Sequence, residues 1–278
     1  MTSTDVLLVL RGVERHLWWG MLARAVVIGL FGGGVLAAVL TPDAELRSAW
    51  LWSSTMTAAL LWGVLAAASV RQVRAANTAS MMIAAGETDQ AERQLMEAVR
   101  SFSLYGAAKL LAVHNLAVVS HGRGQFDVAA ELCAGVLRFA RRARRAAYTV
   151  TRLLLADCRL NLNDLPAADR ALDGLDLFDS RLSLSERLML LPIRLRLDLV
   201  SGRHTEAADR LWHKVKLAET LEAPRAALVH AMLAIACRGV GRTTEADYLD
   251  RRADLYHDRT EVAAQLSGTL DAPTSAAG

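Results

Sequence analysis

The chain changes character near residue 75. Before that point apolar positions run almost unbroken; after it they recur at helical spacing among charges. The stretch 20–40 (GMLARAVVIGLFGGGVLAAVL) carries Arg24 as its one charge, and 49–70 (AWLWSSTMTAALLWGVLAAASV) carries none. At about 1.5 Å of rise per residue, either stretch as a helix can cross a hydrocarbon core of about 30 Å. Trp18, Trp19, Trp50 and Trp52 sit at the ends of these stretches, where indole rings favour the interface. A soluble core helix rarely runs this long without charge, and the first stretch is long for a signal peptide. The pattern predicts a cytoplasmic segment over 1–17 and a transmembrane hairpin over 18–74, its spans at about 20–40 and 49–70 joined by residues 41–48.

Arginine placement orients the hairpin. Arg11, Arg15 and Arg24 precede or open the first span, Arg71 and Arg74 close the second, and the connection holds Asp43, Glu45 and Arg47. The positive-inside rule then puts both termini, and everything after residue 75, in the cytoplasm. Small residues recur every fourth position on each span: Ala25, Gly29, Gly33 and Ala37, then Thr55, Ala59, Gly63 and Ala67. Such faces allow close backbone approach. With a second span a few residues away, packing within the hairpin is the favoured reading. Association between copies of the chain is the alternative.

Beyond residue 75 one signature occurs five times: GETDQAERQL from Gly86, GQFDVAAELC from Gly124, NDLPAADRAL from Asn163, GRHTEAADRL from Gly202 and GRTTEADYLD from Gly241. The starts lie 38, 39, 39 and 39 residues apart. Glycine or asparagine tolerates the left-handed backbone that ends a helix. Five residues on stands an alanine each time (Ala91, Ala129, Ala168, Ala207, Ala246), small enough to let two helices close on each other. Apolar-periodic segments at 109–121, 149–160, 186–200 and 225–238 precede the later four turns. The unit is a helix–turn–helix pair, and pairs in series stack into a solenoid.

This region, roughly Ala75–Ala264, resembles the tetratricopeptide repeat family. The likeness rests on the Gly-x-x-x-x-Ala spacing, on Leu116/Ala117, Leu155/Ala156 and Leu233/Ala234 ahead of their turns, and on Leu95, Leu172 and Leu211 after them. The period exceeds the family's usual ~34 residues, which places the extra length in loops between helix pairs. No proline closes each unit, the aromatic positions are mostly absent, and Arg194/Leu195 stand where Leu and Ala would. The fold expected is all-α: a transmembrane helical hairpin followed by an α–α solenoid over 75–266, with a disordered tail over 267–278.

In the register of that resemblance, His114, Asn115 and His121, with Asp157 and Arg196 in later repeats, fall at positions lining the concave groove, which implies contact with a protein partner. The other reading is ordinary packed or exposed polar residues. The family's carboxylate clamp is not reproduced, because only Asn115 matches it and its lysines are missing.

Charge adds one local feature. Arg138, Arg141, Arg142, Arg144 and Arg145 crowd one inter-repeat turn, suited to anionic lipid, to an acidic partner, or simply to solvent. Net charge is only +3, so no nucleic-acid footprint is expected. Lys109, Lys214 and Lys216 are the only lysines among 32 basic Lys and Arg residues, a composition that points to a GC-rich bacterial source. Cys133, Cys158 and Cys237 are far apart and lack ligand spacing, so neither a metal site nor a disulfide framework is expected. No nucleotide-loop, nucleophile-elbow or zinc-protease motif occurs, so neither an enzyme nor a cofactor is expected.

The expectation is a scaffold or adaptor on the cytoplasmic face of a bacterial inner membrane, binding protein partners. The alternative is a regulatory, sensory or accessory subunit of a larger membrane complex.

Overall fold

The computed structural model describes residues 3–101, 106–139 and 145–270; among them the protein is all-α, with thirteen helices and no strand. The chain forms two compact units, Met1–Arg144 and Arg145–Gly278.

The first unit begins with two long helices, α1 (Ser3–Leu40) and α2 (Ala44–Ala84), each long and apolar enough to cross a membrane. Little of either apolar stretch is buried within the structure (17% and 11%). The connection is shorter than its composition suggests. The Asp43 side chain accepts from the Glu45 backbone N–H at 2.9 Å and starts α2 at Ala44. Arg47 donates back to the carbonyls of Thr41 and Pro42 at 3.2–3.3 Å, which leaves only Thr41–Asp43 outside helix. The one arginine of this loop is thus occupied in closing the turn.

The small-residue stripes are not in close contact within the hairpin, although Gly29 and Gly33 line a cleft between the two helices with Trp50 and Ser53. A Cβ added at Gly29, Gly33 or Gly63 would meet nothing within 4 Å. Ala25, Thr55, Ala59 and Ala67 are likewise exposed, and Ala37 is half-buried. The helices close one register away, where Gly34 lies directly against Ser54 and the buried Ala38 and Ala58 continue the seam.

Neither long helix stops at the edge of its apolar stretch. Residues 3–19 continue α1 and carry a stripe, Val6, Val9 and Val13, that is almost wholly buried. This stripe packs on the helices that follow, α3 (Thr88–Arg100), α4 (Gly106–Gly122) and α5 (Phe126–Phe139). The Leu10 side chain lies on Gly135 and that of Leu17 on Gly106, places where a Cβ would clash. Helix α2 likewise runs through residue 74 as far as Ala84 and becomes the first member of a pair with α3. The segment boundaries suggested by composition at 17/18 and 74/75 therefore fall inside continuous helices.

All five predicted turns share one backbone. Gly86, Gly124, Asn163, Gly202 and Gly241 have φ between 57° and 83°. Each lies in a doubly bonded helix end, such as Gly124 N–H to His121 O and Gln125 N–H to Ser120 O, both 2.9 Å. The alanine five residues on is completely buried at every occurrence. Its N–H makes the first bond of the second helix, as Ala129 to Gln125 O at 3.0 Å, which fixes the alanine right after the turn.

The second unit holds α6 (Arg145–Asn161) with α7 (Leu165–Leu172), α8 (Leu184–Val200) with α9 (His204–Ala208) and α10 (Leu211–Ala218), α11 (Ala223–Gly239) with α12 (Thr243–Tyr256), and α13 (Arg259–Leu270). Leu153, Leu160, Leu190, Leu195, Leu233 and Leu249 belong to one apolar core of this unit. Extra length sits where expected between α7 and α8, and a Ser183–Glu186 capping box restarts the helix there. Helix α13 extends to Leu270, past residue 266; residues 271–278 lie outside the described part.

Candidate functional site

The sequence-predicted groove residues meet different fates. Asn115 is buried, and its amide donates to Ala76 O at 3.2 Å and Ser80 Oγ at 2.8 Å, so it ties α4 to α2 instead of facing a partner. His114 is half-buried, and burial pushes its pKa below the ordinary imidazole value. The His121 ring meets Phe126 edge-on at 5.2 Å. In the second unit Arg196 and Asp157 do come together, at 3.6 Å, and Asn161 Oδ1 accepts from the same guanidinium at 3.1 Å. Of the basic run, Arg138 is exposed with its guanidinium 4.7 Å from the Phe139 ring centre. Arg141, Arg142 and Arg144 lie outside the described residues, and Arg145 opens α6.

A cavity with a partly polar lining lies in the second unit, beside a broken helix. The second helix of the fourth pair splits into α9 and α10 at Asp209–Arg210, where Arg210 adopts the left-handed conformation (φ 47°). An arginine held there is strained by about 1–2 kcal/mol. Two contacts hold it. The Arg210 guanidinium covers the Phe178 ring at 4.6 Å, and Lys214 Nζ donates to the carbonyls of Glu206 and Ala207, both at 2.8 Å, so satisfying the end of α9. The resulting cavity of about 300 Å³ has an apolar wall of Leu177, Phe178 and Leu191 and a polar one of Arg194, Asp198, Arg210 and Lys214.

Asp198 and Arg194 of this lining belong to an ionic network that extends beyond it. Asp198, almost wholly buried, lies 2.9 Å from Arg203 and 3.5 Å from Arg194; Asp169 lies 3.3 Å from Arg203. Burial raises the Asp198 pKa, and Arg194 and Arg203 oppose that rise. Burial lowers the Lys214 pKa, opposed by Asp198 and Asp209. Paired charges of both signs around an apolar slot suit recognition of a charged, partly apolar chain segment. Nearby on the surface, Trp212 of α10 and Tyr248 of α12 meet edge-on at 5.7 Å and both remain exposed, the aromatic type that anchors protein interfaces.

Sequence reasoning misses the buried lysines. Lys109, with no exposed surface, donates to Val99 O and Ser101 O at 2.6 Å each and so closes the end of α3, as Lys214 closes α9. Burial brings its pKa down to about 8. The available signal was rarity: a chain that otherwise uses arginine places two of its three lysines where a compact ammonium meets helix-end carbonyls. The three cysteines are buried, and burial pushes the Cys158 thiol up to about 12.

No family model matches the chain, and no curated protein matches it.

Proposed function

We propose that the protein is a membrane-anchored helical-repeat scaffold whose repeats, tetratricopeptide-like and stacked in series, hold protein partners at the cytoplasmic face of a bacterial inner membrane. The observation that carries this reading is α2. One uninterrupted helix supplies both an apolar span and the first partner of the first helix pair. A hinge is therefore absent between anchor and first pair, which suits holding a partner at a set place more than searching for one. The cavity at Arg210 and the exposed Trp212–Tyr248 pair supply a recognition surface. Tethering raises the local concentration of whatever binds there.

The second reading, an accessory subunit of a larger membrane complex, draws on Gly63, exposed on the second span, and on the uncovered cleft that Gly29 and Gly33 line with Trp50 and Ser53. Photo-crosslinking side chains at Trp212, Gly33 and Gly63 in intact membranes separate the two. Discrete adducts from Trp212 support the scaffold. Adducts to another membrane helix from Gly33 or Gly63 alone support the accessory subunit. No adduct from any of the three rejects both.

A further inference from the structure

The groove between α1 and α3 in the first unit is used by neither reading. It is about 220 Å³ in volume, with Gly12, Met96 and Val99 along its apolar part and Arg15, His16 and Arg100 at one end; Asp5 closes the other, about 15 Å away along α1. Contacts fix the level of the basic end. Gln72 of α2 donates to Ser101 O at 3.2 Å and to Ala98 O, while Lys109 of α4 bonds the same turn. The end of α3 is thus level with residue 72 of α2 and with His16 of α1, whose ring meets the Arg100 carbonyl. One helical turn above stand Trp18 and Trp19, both largely exposed, at the start of the apolar stretch. Indoles mark the interface, so Arg15, His16 and Arg100 lie about 5 Å from it, where lipid phosphates sit.

No described carboxylate forms an ion pair with Arg15 or Arg100, and Arg71 and Arg74 add exposed cations beside Gln72 on α2. The pKa of His16 is lowered, first by burial and then by the charges of Lys109 and Arg15, as a crowded cationic site demands.

We propose that Arg15 and Arg100, positioned by His16, form a binding site for the phosphate of an anionic phospholipid, gripped where the first span leaves the membrane. The inference rests on reading α1 and α2 as membrane spans. Two guanidiniums supply directional donors to phosphate oxygens, His16 holds the Arg100 backbone beside Arg15 by bonding its carbonyl, and a resident lipid pins α1 to α3 at the interface.

The test uses the full chain in nanodiscs of phosphatidylcholine carrying graded fractions of phosphatidylglycerol, followed by mild detergent extraction and native mass spectrometry. The wild type should retain phosphatidylglycerol in preference to phosphatidylcholine. R15Q/R100Q should weaken that retention about thirtyfold. R93Q/R225Q, which removes the same charge elsewhere, should leave it unchanged. Equal retention in R15Q/R100Q and wild type overturns the site, as does displacement of the lipid by inorganic phosphate, which marks a soluble-anion site. Should R15Q/R100Q not fold, photoactivatable phosphatidylglycerol on the wild type decides: adducts on 8–16 or 96–100 support the site, and adducts only elsewhere overturn it. Alkaline carbonate washing tests the spans separately. A protein that resists the wash yet shows no phosphatidylglycerol preference refutes this site alone.

Discussion

Replacing Val6 and Val13 together by alanine probes whether the start of α1 belongs to the core of the first unit. Both side chains are completely buried (0% exposed) on the face of α1 that meets α3, α4 and α5. Each substitution deletes two methyl groups at about 0.8 kcal/mol apiece, so the pair should destabilise the first unit by about 3 kcal/mol, and by more if the cavities fail to collapse. At 1.4 kcal/mol per tenfold, that becomes about a hundredfold faster hydrogen exchange for amides that exchange by opening of the unit. Exchange read by mass spectrometry on the nanodisc-embedded protein gives the answer by peptide. Peptides from α4 and α5 should lose protection while those from α6 to α12, which have their own core, should not. Unchanged protection in α4 and α5 would refute the idea that residues 3–16 are part of the core of the first unit.

Three further outcomes follow from local chemistry. Asn115→Leu removes both hydrogen bonds that reach Ala76 O and Ser80 Oγ and tie α4 to α2, so it should cost about 1–3 kcal/mol and raise exchange where α2 meets α4. In the fragment 145–270, which should fold alone, Gly202→Ala should cost about 1 kcal/mol by urea unfolding because φ is 70° there; Asn163→Gly should stay within about 0.5 kcal/mol. His230, wholly buried and stacked on Tyr256 at 5.5 Å, has its pKa lowered chiefly by burial. The unfolded chain therefore takes up its proton first, so the contribution of neutral His230 is complete above about pH 6.5 and lost as pH falls. The fragment's melting temperature should drop between neutral pH and about pH 5.5, and His230→Phe should flatten that drop.

The five turns were legible because each is a local decision. A residue that tolerates positive φ, a cap and an alanine at a fixed offset settle the backbone without help from elsewhere. The apolar spans were legible for the same reason. What stayed hidden depended on contacts distant in sequence. Residues 71–84 (RQVRAANTASMMIA) contain no glycine or proline, so helical continuity was written there, yet the fall in hydrophobicity near 75 reads as a boundary. Asn115 looks like a groove residue until α2 arrives to use its amide. The break at Asp209–Arg210 has no glycine or proline to announce it; Phe178 and Lys214, both remote or across the break, hold the arginine in place. The glycine stripes showed where close approach was allowed but not which face takes it, and Gly34 with Ser54 won that contest.

Continuity of α2 also sets a rule of phase. Each residue of an α-helix turns its successors by about 100° and advances them about 1.5 Å. Inserting one residue between Val70 and Gln72 would swing Gln72, Ala76 and Ser80 away from Ala98 and Asn115, or else rotate the span by the same angle among its neighbours. Seven inserted residues would restore the bearing to within about 20° but move the first helix pair about 10 Å farther from the apolar stretch. Length variation in this protein therefore belongs in the segments between helix pairs, while the junction on α2 admits none without losing either bearing or height.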